Sequence, residues 1–231
     1  MNPDDNPHLP SEYLKQLEGL SSLQRKRFLH GEYLTVIPGS LWTTEMTRAA
    51  LAKETPSHDQ LLRIVVAVDP SGSDGTSGDS QGIVVAGIDR NRHAHVLEDA
   101  TMRGTPMQWA EKVADLYEHY KADRIIAEKN FGGEMVRTTM QLTAGKQLPV
   151  KLVNASRGKH VRAEPIAALY EHGKVSHEAD FTKLTDQMLQ MTGDGYVGSG
   201  SPDRLDALVW ALTELGLAQM QRTVKVNMRT V

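Results

Sequence analysis

Four acidic residues in this sequence stand where apolar segments end or where an apolar helix begins. Asp69 closes the run "RIVVAVD", Glu128 closes "RIIAE", and Asp203 and Asp206 open "DRLDALVWAL". The spacing of three residues places Asp203 and Asp206 on one face of a helix. Carboxylates that share a site repel one another and resist burial, so such a cluster needs a compensating positive charge.

A divalent cation is the compensating charge that suits oxygen ligands. Mg²⁺ prefers hard oxygen donors and keeps part of its water shell. Two such ions about 4 Å apart can activate a water molecule and stabilise the leaving oxygen of a phosphodiester. The sequence has no cysteine, which excludes disulfides and thiolate metal sites, and its histidines show no spacing typical of zinc ligands.

Each acid also has a simpler interpretation when it is taken alone. An aspartate after a strand, such as Asp69, commonly forms a turn or caps a helix. Asp203 follows Ser-Pro and matches the acidic residues favoured at helix N-termini. Glu128, beside Lys129, is also compatible with a solvated edge. The metal-site hypothesis therefore depends on a fold that brings these acids together.

The elements around the acids predict an α/β domain with a mixed central sheet flanked by helices. Three apolar strands in direct succession are expected to pair antiparallel, and two later strands, reached across helices, to add in parallel. The predicted strands are 61–69, 82–89, 94–100, 123–130 and 148–154, and the predicted helices are 105–122, 132–145, 160–172, 181–192 and 203–219.

Adjacent parallel strands would place Asp69 and Glu128 side by side at their carboxyl ends. The helix after the third strand begins at Thr105, a good N-cap, followed by proline in the first turn. Trp109 and Trp210 lie in helical apolar patterns, which indicates core positions rather than platforms for base stacking. The apolar face predicted for the helix after Thr105 consists of Met107, Ala110, Val113, Ala114 and Tyr117.

Composition changes along the chain divide it into three regions. Residues 1–60 are polar and are predicted to be an arm or linker, residues 61–217 the folded domain, and residues 218–231 a C-terminal tail. The segment 70–82 is too long and too polar for a plain hairpin turn. No apolar run approaches the ~20 residues of a membrane helix, and the first residues do not resemble a signal peptide.

Positive charge is concentrated between Arg124 and Arg162. This span has eight Lys and Arg against two Glu, a local charge of +6 in a chain of net charge −3. Phosphate contacts need such local charge. Because "SRGKHVR" follows a predicted strand, we expect Lys159 and Arg162, with Arg157 and Lys129, to contact a DNA backbone. A solvated basic face is the alternative.

Four segments together resemble the nuclease domain of the large terminase subunit of tailed bacteriophages, within the ribonuclease H-like superfamily. They are "VVAVDPSG", the acid of "IIAEKNFGGEMV", "SRGKHVRAEPIAALYEHGKVSH" and "GSGSPDRLDALVWALTEL". The resemblance covers roughly residues 61–217. The segment "NPHLPSEYLKQLEGLSSLQRKRFLHGEYL" is similar to the one that joins the family's ATPase and nuclease domains.

The resemblance implies a ribonuclease H-like fold and a metal-dependent DNA endonuclease that cuts concatemeric viral DNA during genome packaging. It implies two Mg²⁺ or Mn²⁺ ions and maps the family's metal-binding acids onto Asp69, Glu128 and Asp206, with Asp203 adjacent and able to share that work. The implied partners are double-stranded DNA, a small terminase subunit, the portal of the procapsid and the ATPase domain, in the cytoplasm of a bacterial host and without a membrane. No G-x-x-x-x-G-K-[ST] phosphate loop occurs in the sequence, so we expect this chain to lack ATPase activity and to be one part of the longer family protein.

Three other functions remain compatible with the pattern. A junction resolvase or transposase on the same fold would prefer a different DNA substrate. A nucleotide-binding domain of the actin-like or sugar-kinase-like type is suggested by "DPSGSDG". A non-catalytic module that docks on a portal would not cleave DNA.

Overall fold

The computed structural model describes residues 37–51, 56–70, 80–129, 133–145 and 147–217, with the side chains of 133–135 and 144 left out. The predicted arm up to residue 36, the tail from 218, loop residues 71–79 and Lys146 lie outside these ranges. The strands are β1 (Leu61–Asp69), β2 (Gly82–Asp89), β3 (Ala94–Asp99), β4 (Arg124–Glu128), β5 (Val150–Val153), β6 (Val175–His177), β7 (Met191–Thr192) and β8 (Gly195–Tyr196). The helices are α1 (Thr44–Ala49), α2 (Pro106–His119), α3 (Gly133–Ala144), α4 (Lys159–Glu171), α5 (Thr182–Leu189) and α6 (Asp203–Glu214), with a 3₁₀ turn at His58–Gln60.

Six strands form the central sheet in the order β5-β4-β1-β2-β3-β6. The strand β2 pairs antiparallel with β1 and β3, whereas the pairs β1–β4, β4–β5 and β3–β6 are parallel. The predicted mixed sheet is therefore confirmed. The prediction that only helices follow β5 is wrong, because β6, β7 and β8 are present. Strands of two or three residues are too short to show an alternating pattern.

Both faces of the sheet are covered, which explains the continuous apolar runs of its central strands. Along β1, Val65 and Ala67 point to a core formed with α4, α5 and α6. The alternate residues Val66 and Val68 point to a second core formed with α2 and α3. The helix α6 lies directly against β1 and β2. In the described ranges, every helix is too short or too polar to traverse a lipid bilayer.

The helix α2 begins as its sequence predicts, and its predicted apolar face is buried or partly buried except at Met107. Thr105 is the N-cap and accepts a hydrogen bond from the backbone N–H of Gln108. The prediction that Met107 lies on the apolar face is wrong, because this residue is 68% exposed. The face that meets the sheet is centred on Trp109, Val113 and Leu116, which are spaced at i, i+4 and i+7.

The described part of the predicted arm packs into the main core. Trp42 is fully buried and meets the ring of Tyr170 edge-on, with 6.0 Å between the centroids. Ser40 forms a β-bridge with Thr192, and residue 51 forms one with β6. The predicted domain boundary at residue 61 therefore does not coincide with the edge of the core.

A glycine allows α6 to approach the end of the sheet closely. Gly82 pairs with Asp69 across β1 and β2. A Cβ atom at Gly82 would lie 2.0 Å from the backbone oxygen of Asp203, well inside van der Waals contact. The absence of a side chain at this one position therefore sets the distance between the first turn of α6 and the ends of the central strands.

We predict that Gly82→Ala destabilises the fold by about 1–3 kcal/mol, because α6 must shift to make room for the methyl group. A loss of that size lowers the melting temperature of a domain this large by about 2–4 °C per kcal/mol. Gly193→Ala is the matched control, since nothing lies within 4 Å of its Cβ position. Equal melting temperatures for the two variants in calorimetry would show that α6 does not depend on this contact.

Candidate active site

The register of β1 and β4 places two carboxylates side by side. Val68 is paired with Ala127 in parallel, and the next residues, Asp69 and Glu128, end their strands together. Alternation along the strands turns both side chains to the face covered by α6. Both residues are buried, with 7% and 2% of their surface exposed. The predicted juxtaposition of Asp69 and Glu128 is thus present in the structure.

The first turn of α6 adds two more buried carboxylates, Asp203 and Asp206. The helix starts after Pro202 and has no side-chain cap of its own. Gln187 of α5 supplies the missing partner, because its Oε1 accepts the backbone N–H of Leu205 at 3.1 Å. A neighbouring helix therefore satisfies one of the free backbone donors at the start of α6.

The last turn of α6 is bound to the opposite end of the sheet. Glu214 forms ion pairs with Arg63 of β1 at 2.7 Å, Arg124 of β4 at 3.1 Å and Lys151 of β5 at 2.7 Å. Two cations of the basic span 124–162 are therefore engaged within the protein. Arg124 and Lys151 form ion pairs with Glu214, at the end of the sheet away from the acidic cluster.

Repulsion and burial dominate the electrostatics of the cluster. Burial, followed by the charges of Asp206 and Glu128, raises the pKa of Asp69 to about 8, and Lys159 offsets only part of this effect. Burial also raises the pKa of Asp206, although Lys159 and Arg162 oppose it. These carboxylates are close enough to influence one another, as the sequence-based hypothesis requires.

Two cations from α4 face the acids. The ammonium group of Lys159 contacts Oδ2 of Asp206 and donates to the hydroxyl oxygen of Ser201 at 3.1 Å. Burial by itself would lower the pKa of Lys159, but the Asp206 carboxylate outweighs it and the pKa is raised. Arg162 lies between Glu128 and Asp206, with nitrogen–oxygen distances of 3.7 and 3.5 Å. These residues, predicted as DNA contacts, are directed at the carboxylates.

The other two predicted DNA contacts lie on the surface at the same end of the sheet. Lys129 follows β4, and its backbone N–H donates to Val153 at the end of β5. Arg157 lies in the segment that leads from β5 to α4. Both are exposed. The structure thus divides the four predicted residues into an exposed pair, Lys129 and Arg157, and a pair engaged with the acids, Lys159 and Arg162.

The sequence profile described as the terminase RNase H-like domain matches residues 66–215, which include all four carboxylates and both cations of α4. The chain belongs to this family. The mixed sheet and its helices are accordingly the ribonuclease H-like fold that the sequence predicted. No curated protein sequence matches the chain.

Solved terminase structures share this fold. The nuclease domain of the large terminase subunit gp2 of bacterial virus Sf6 is 15% identical, with a TM-score of 0.58 over 75% of this chain and 98% of that chain. The human cytomegalovirus terminase nuclease domain, in a Mn-soaked and inhibitor-bound form, is 15% identical, with a TM-score of 0.52 over 76% and 95%. The bacteriophage HK97 large terminase is 13% identical, with a TM-score of 0.55 over 89% of this chain and 51% of that chain.

The donors of this terminase domain fit a hard divalent cation in their chemistry. Carboxylate oxygens are the ligands that Mg²⁺ and Mn²⁺ prefer. In the part of the chain that the structure describes, no group of three or more acidic or histidine side chains is arranged closely enough to hold one ion. Lys159 and Arg162 instead neutralise the acids directly. The carboxylates therefore match a divalent cation in the type of ligand atom. Cation binding requires the carboxylates, Lys159 and Arg162 to rearrange.

Sequence reasoning missed three residues that shape the site. Trp210 was correctly predicted as a core residue, yet its indole N–H also donates to Glu128 at 2.7 Å. Its position four residues after Asp206, on the same helix face, was the available signal. Gln187 and Glu214 carried no such signal, because their partners are distant in sequence.

The pKa of Asp69 makes the stability of the terminase domain depend on pH. The folded-state pKa of Asp69, about 8, lies above its ordinary value. The contribution of this group to the free energy of unfolding is therefore fully present below about pH 4 and is lost as pH rises through 8. We predict that Asp69→Asn, which resembles the protonated form, melts at a higher temperature than the parent. In calorimetry with chelator, this difference should grow between pH 5 and pH 8 and then level off.

The control for this experiment is Asp194→Asn, since Asp194 is an exposed aspartate in the β7–β8 turn. Its melting temperature should follow that of the parent at every pH. A constant offset between Asp69→Asn and the parent across the whole range would contradict the raised pKa.

Proposed function

We propose that this chain is a metal-dependent DNA endonuclease that cuts concatemeric viral DNA during phage genome packaging. The observation that carries this proposal is the burial of Asp69, Glu128, Asp203 and Asp206 together at one end of a ribonuclease H-like sheet. Buried acids of like charge are costly to a fold, and groups with strongly perturbed pKa values concentrate at functional sites. Membership of the terminase RNase H-like domain family supports the assignment to packaging.

Asp69, Glu128 and Asp206 are the proposed ligands of two Mg²⁺ or Mn²⁺ ions, and Asp203 is able to share that role. Bound divalent ions supply an activated water and stabilisation of the leaving oxygen in phosphodiester hydrolysis. The Sf6 gp2 and human cytomegalovirus nuclease domains have both been solved with manganese, which supports this choice. Metal ligands must be deprotonated, so the raised pKa of Asp69 makes its proton a competitor of the ion.

The exposed cations at the same end of the sheet suit a phosphate backbone. Lys129 and Arg157 are exposed beside the carboxylates, whereas Lys159 and Arg162 are held against them. We therefore assign the first contacts with DNA to Lys129 and Arg157. Lys159 and Arg162 keep the acids together and neutralise them until cation and substrate arrive.

The proposed partners follow from the packaging role. They are double-stranded DNA, the small terminase subunit, the portal of the procapsid and the ATPase domain of the large subunit, in the cytoplasm of the bacterial host. The match with the HK97 large terminase, which spans about half of that chain, is compatible with a nuclease part that works beside further domains.

The proposal predicts that the chain cleaves supercoiled plasmid with Mg²⁺ or Mn²⁺ and without ATP. Asp69→Ala, Glu128→Ala and Asp206→Ala should each reduce the rate by at least about 100-fold, because each removes a ligand from a site that supplies several kcal/mol of charge stabilisation. Gel assays with metal, chelator and ATP measure this, and Asp194→Asn is the active control.

Several outcomes of that assay would contradict the proposal. Cleavage in chelator would exclude metal dependence, and preference for branched DNA, added to the same assay as a competing substrate, would favour a resolvase. The absence of cleavage by the folded parent would favour a docking module. Inactivity of Asp203→Ala together with activity of Asp206→Ala would exchange the roles of those two residues.

A second prediction concerns DNA affinity. The double variant with Lys129→Ala and Arg157→Ala should flatten the slope of log affinity against log salt by about 2, close to 0.9 for each lost phosphate contact. The matched control combines Arg90→Ala with Lys174→Ala, which removes the same charge from exposed positions at the opposite end of the sheet. Equal slopes for the two double variants, measured by fluorescence anisotropy, would place the DNA elsewhere.

A further inference from the structure

The indole of Trp210 makes a buried hydrogen bond to one oxygen of Glu128. Its Nε1–H donates to Oε2 over 2.7 Å, and the two residues are 8% and 2% exposed. An indole can only donate, and it carries no charge. The bond therefore fixes the orientation of the carboxylate without adding a further cation to the cluster.

Arg162 approaches the same oxygen of Glu128 while packing on the Trp210 ring. Its guanidinium carbon lies 4.5 Å from the centre of the Trp210 ring, and its Nη1 lies 3.7 Å from Oε2 of Glu128. Its Nη2 lies 3.5 Å from Oδ1 of Asp206. Both approaches to Glu128 use Oε2, so they leave Oε1 to other partners.

The packing of the core does not by itself demand this hydrogen bond. Trp42 is also buried on this side of the sheet, and its indole nitrogen has no hydrogen-bond partner in the described structure. The fold thus tolerates an unpaired indole at one position. At position 210, α6 places the indole donor one turn after Asp206. A single helix therefore carries both the Asp206 carboxylate and the group that orients the neighbouring carboxylate of Glu128.

We propose that Trp210 is a positioning residue that holds Oε2 of Glu128, with Arg162 packed on its ring, and thereby presents Oε1 to a divalent cation. This inference rests on the proposed metal-dependent nuclease function. Partners of ligating carboxylates tune metal sites strongly, and their loss typically costs 10–100-fold in metal affinity or activity.

The test removes the donor and keeps the ring. Trp210→Phe retains an aromatic face for Arg162, and replacement of Trp210 by benzothienylalanine changes only the N–H to sulfur. Mn²⁺ binding by isothermal titration calorimetry and plasmid cleavage against Mn²⁺ concentration are the two readouts. We expect both variants to need at least about 10-fold more Mn²⁺, and cleavage at saturating Mn²⁺ to recover to within a few-fold of the parent.

Trp42→Phe is the matched control, because it removes a buried indole from the same core without touching Glu128. Its Mn²⁺ affinity should equal that of the parent. Melting temperatures without metal separate loss of folding from loss of positioning, and the near-isosteric benzothienylalanine variant covers the case in which the phenylalanine variant does not fold.

The possible failures are distinguishable. A parent that binds Mn²⁺ with the same affinity as both Trp210 variants would overturn the positioning role and leave the nuclease proposal standing. A folded parent that binds no Mn²⁺ and cleaves no DNA would overturn the proposed function itself, and with it this inference.

Discussion

The burial of like charges at one end of the sheet is the constraint on which the rest of this structure depends. Carboxylates from β1, β4 and α6 are removed from water within reach of one another, and their charge must be removed by protonation, as at Asp69, or offset by groups that the protein supplies. The offsetting groups are Lys159, Arg162 and the indole of Trp210. Because they come from α4 and α6, both helices must keep their positions on the sheet for the acids to be tolerated.

The helix α6 is fixed at both ends, and this explains how it can carry two acids and a tryptophan accurately. Its first turn lies against Gly82 and is bonded by Gln187, and its last turn holds Glu214 among cations from three neighbouring strands. Twelve residues of helix span about 18 Å. Functional groups generally need placement to within about 0.5 Å, which a helix attached at one end alone would not secure.

The sequence predicted the sheet and the acidic cluster because both follow from local patterns. Asp69 and Glu128 end continuous apolar runs, and the crossover rule makes their strands parallel, so their meeting could be inferred without coordinates. The partners of the cations could not be inferred from the sequence in this way. Arg124 and Lys151 meet Glu214 across 90 and 63 residues of sequence, and no local pattern records such a pair. Lys159 and Arg162 were placed at the correct end of the sheet, yet their proximity to the acids depends on how α4 packs.

The packing of Trp42 has a consequence for any attempt to isolate the smallest unit that folds. The change in hydrophobic pattern at residue 61 suggests cutting there, but that cut would excise an indole that is fully buried beneath Tyr170. Emptying a site of that size typically costs about 3–5 kcal/mol, a large share of the stability of an ordinary domain. The segment that looks like a tether in the sequence therefore contributes Trp42, Thr47 and Ala50 to the interior of the folded unit.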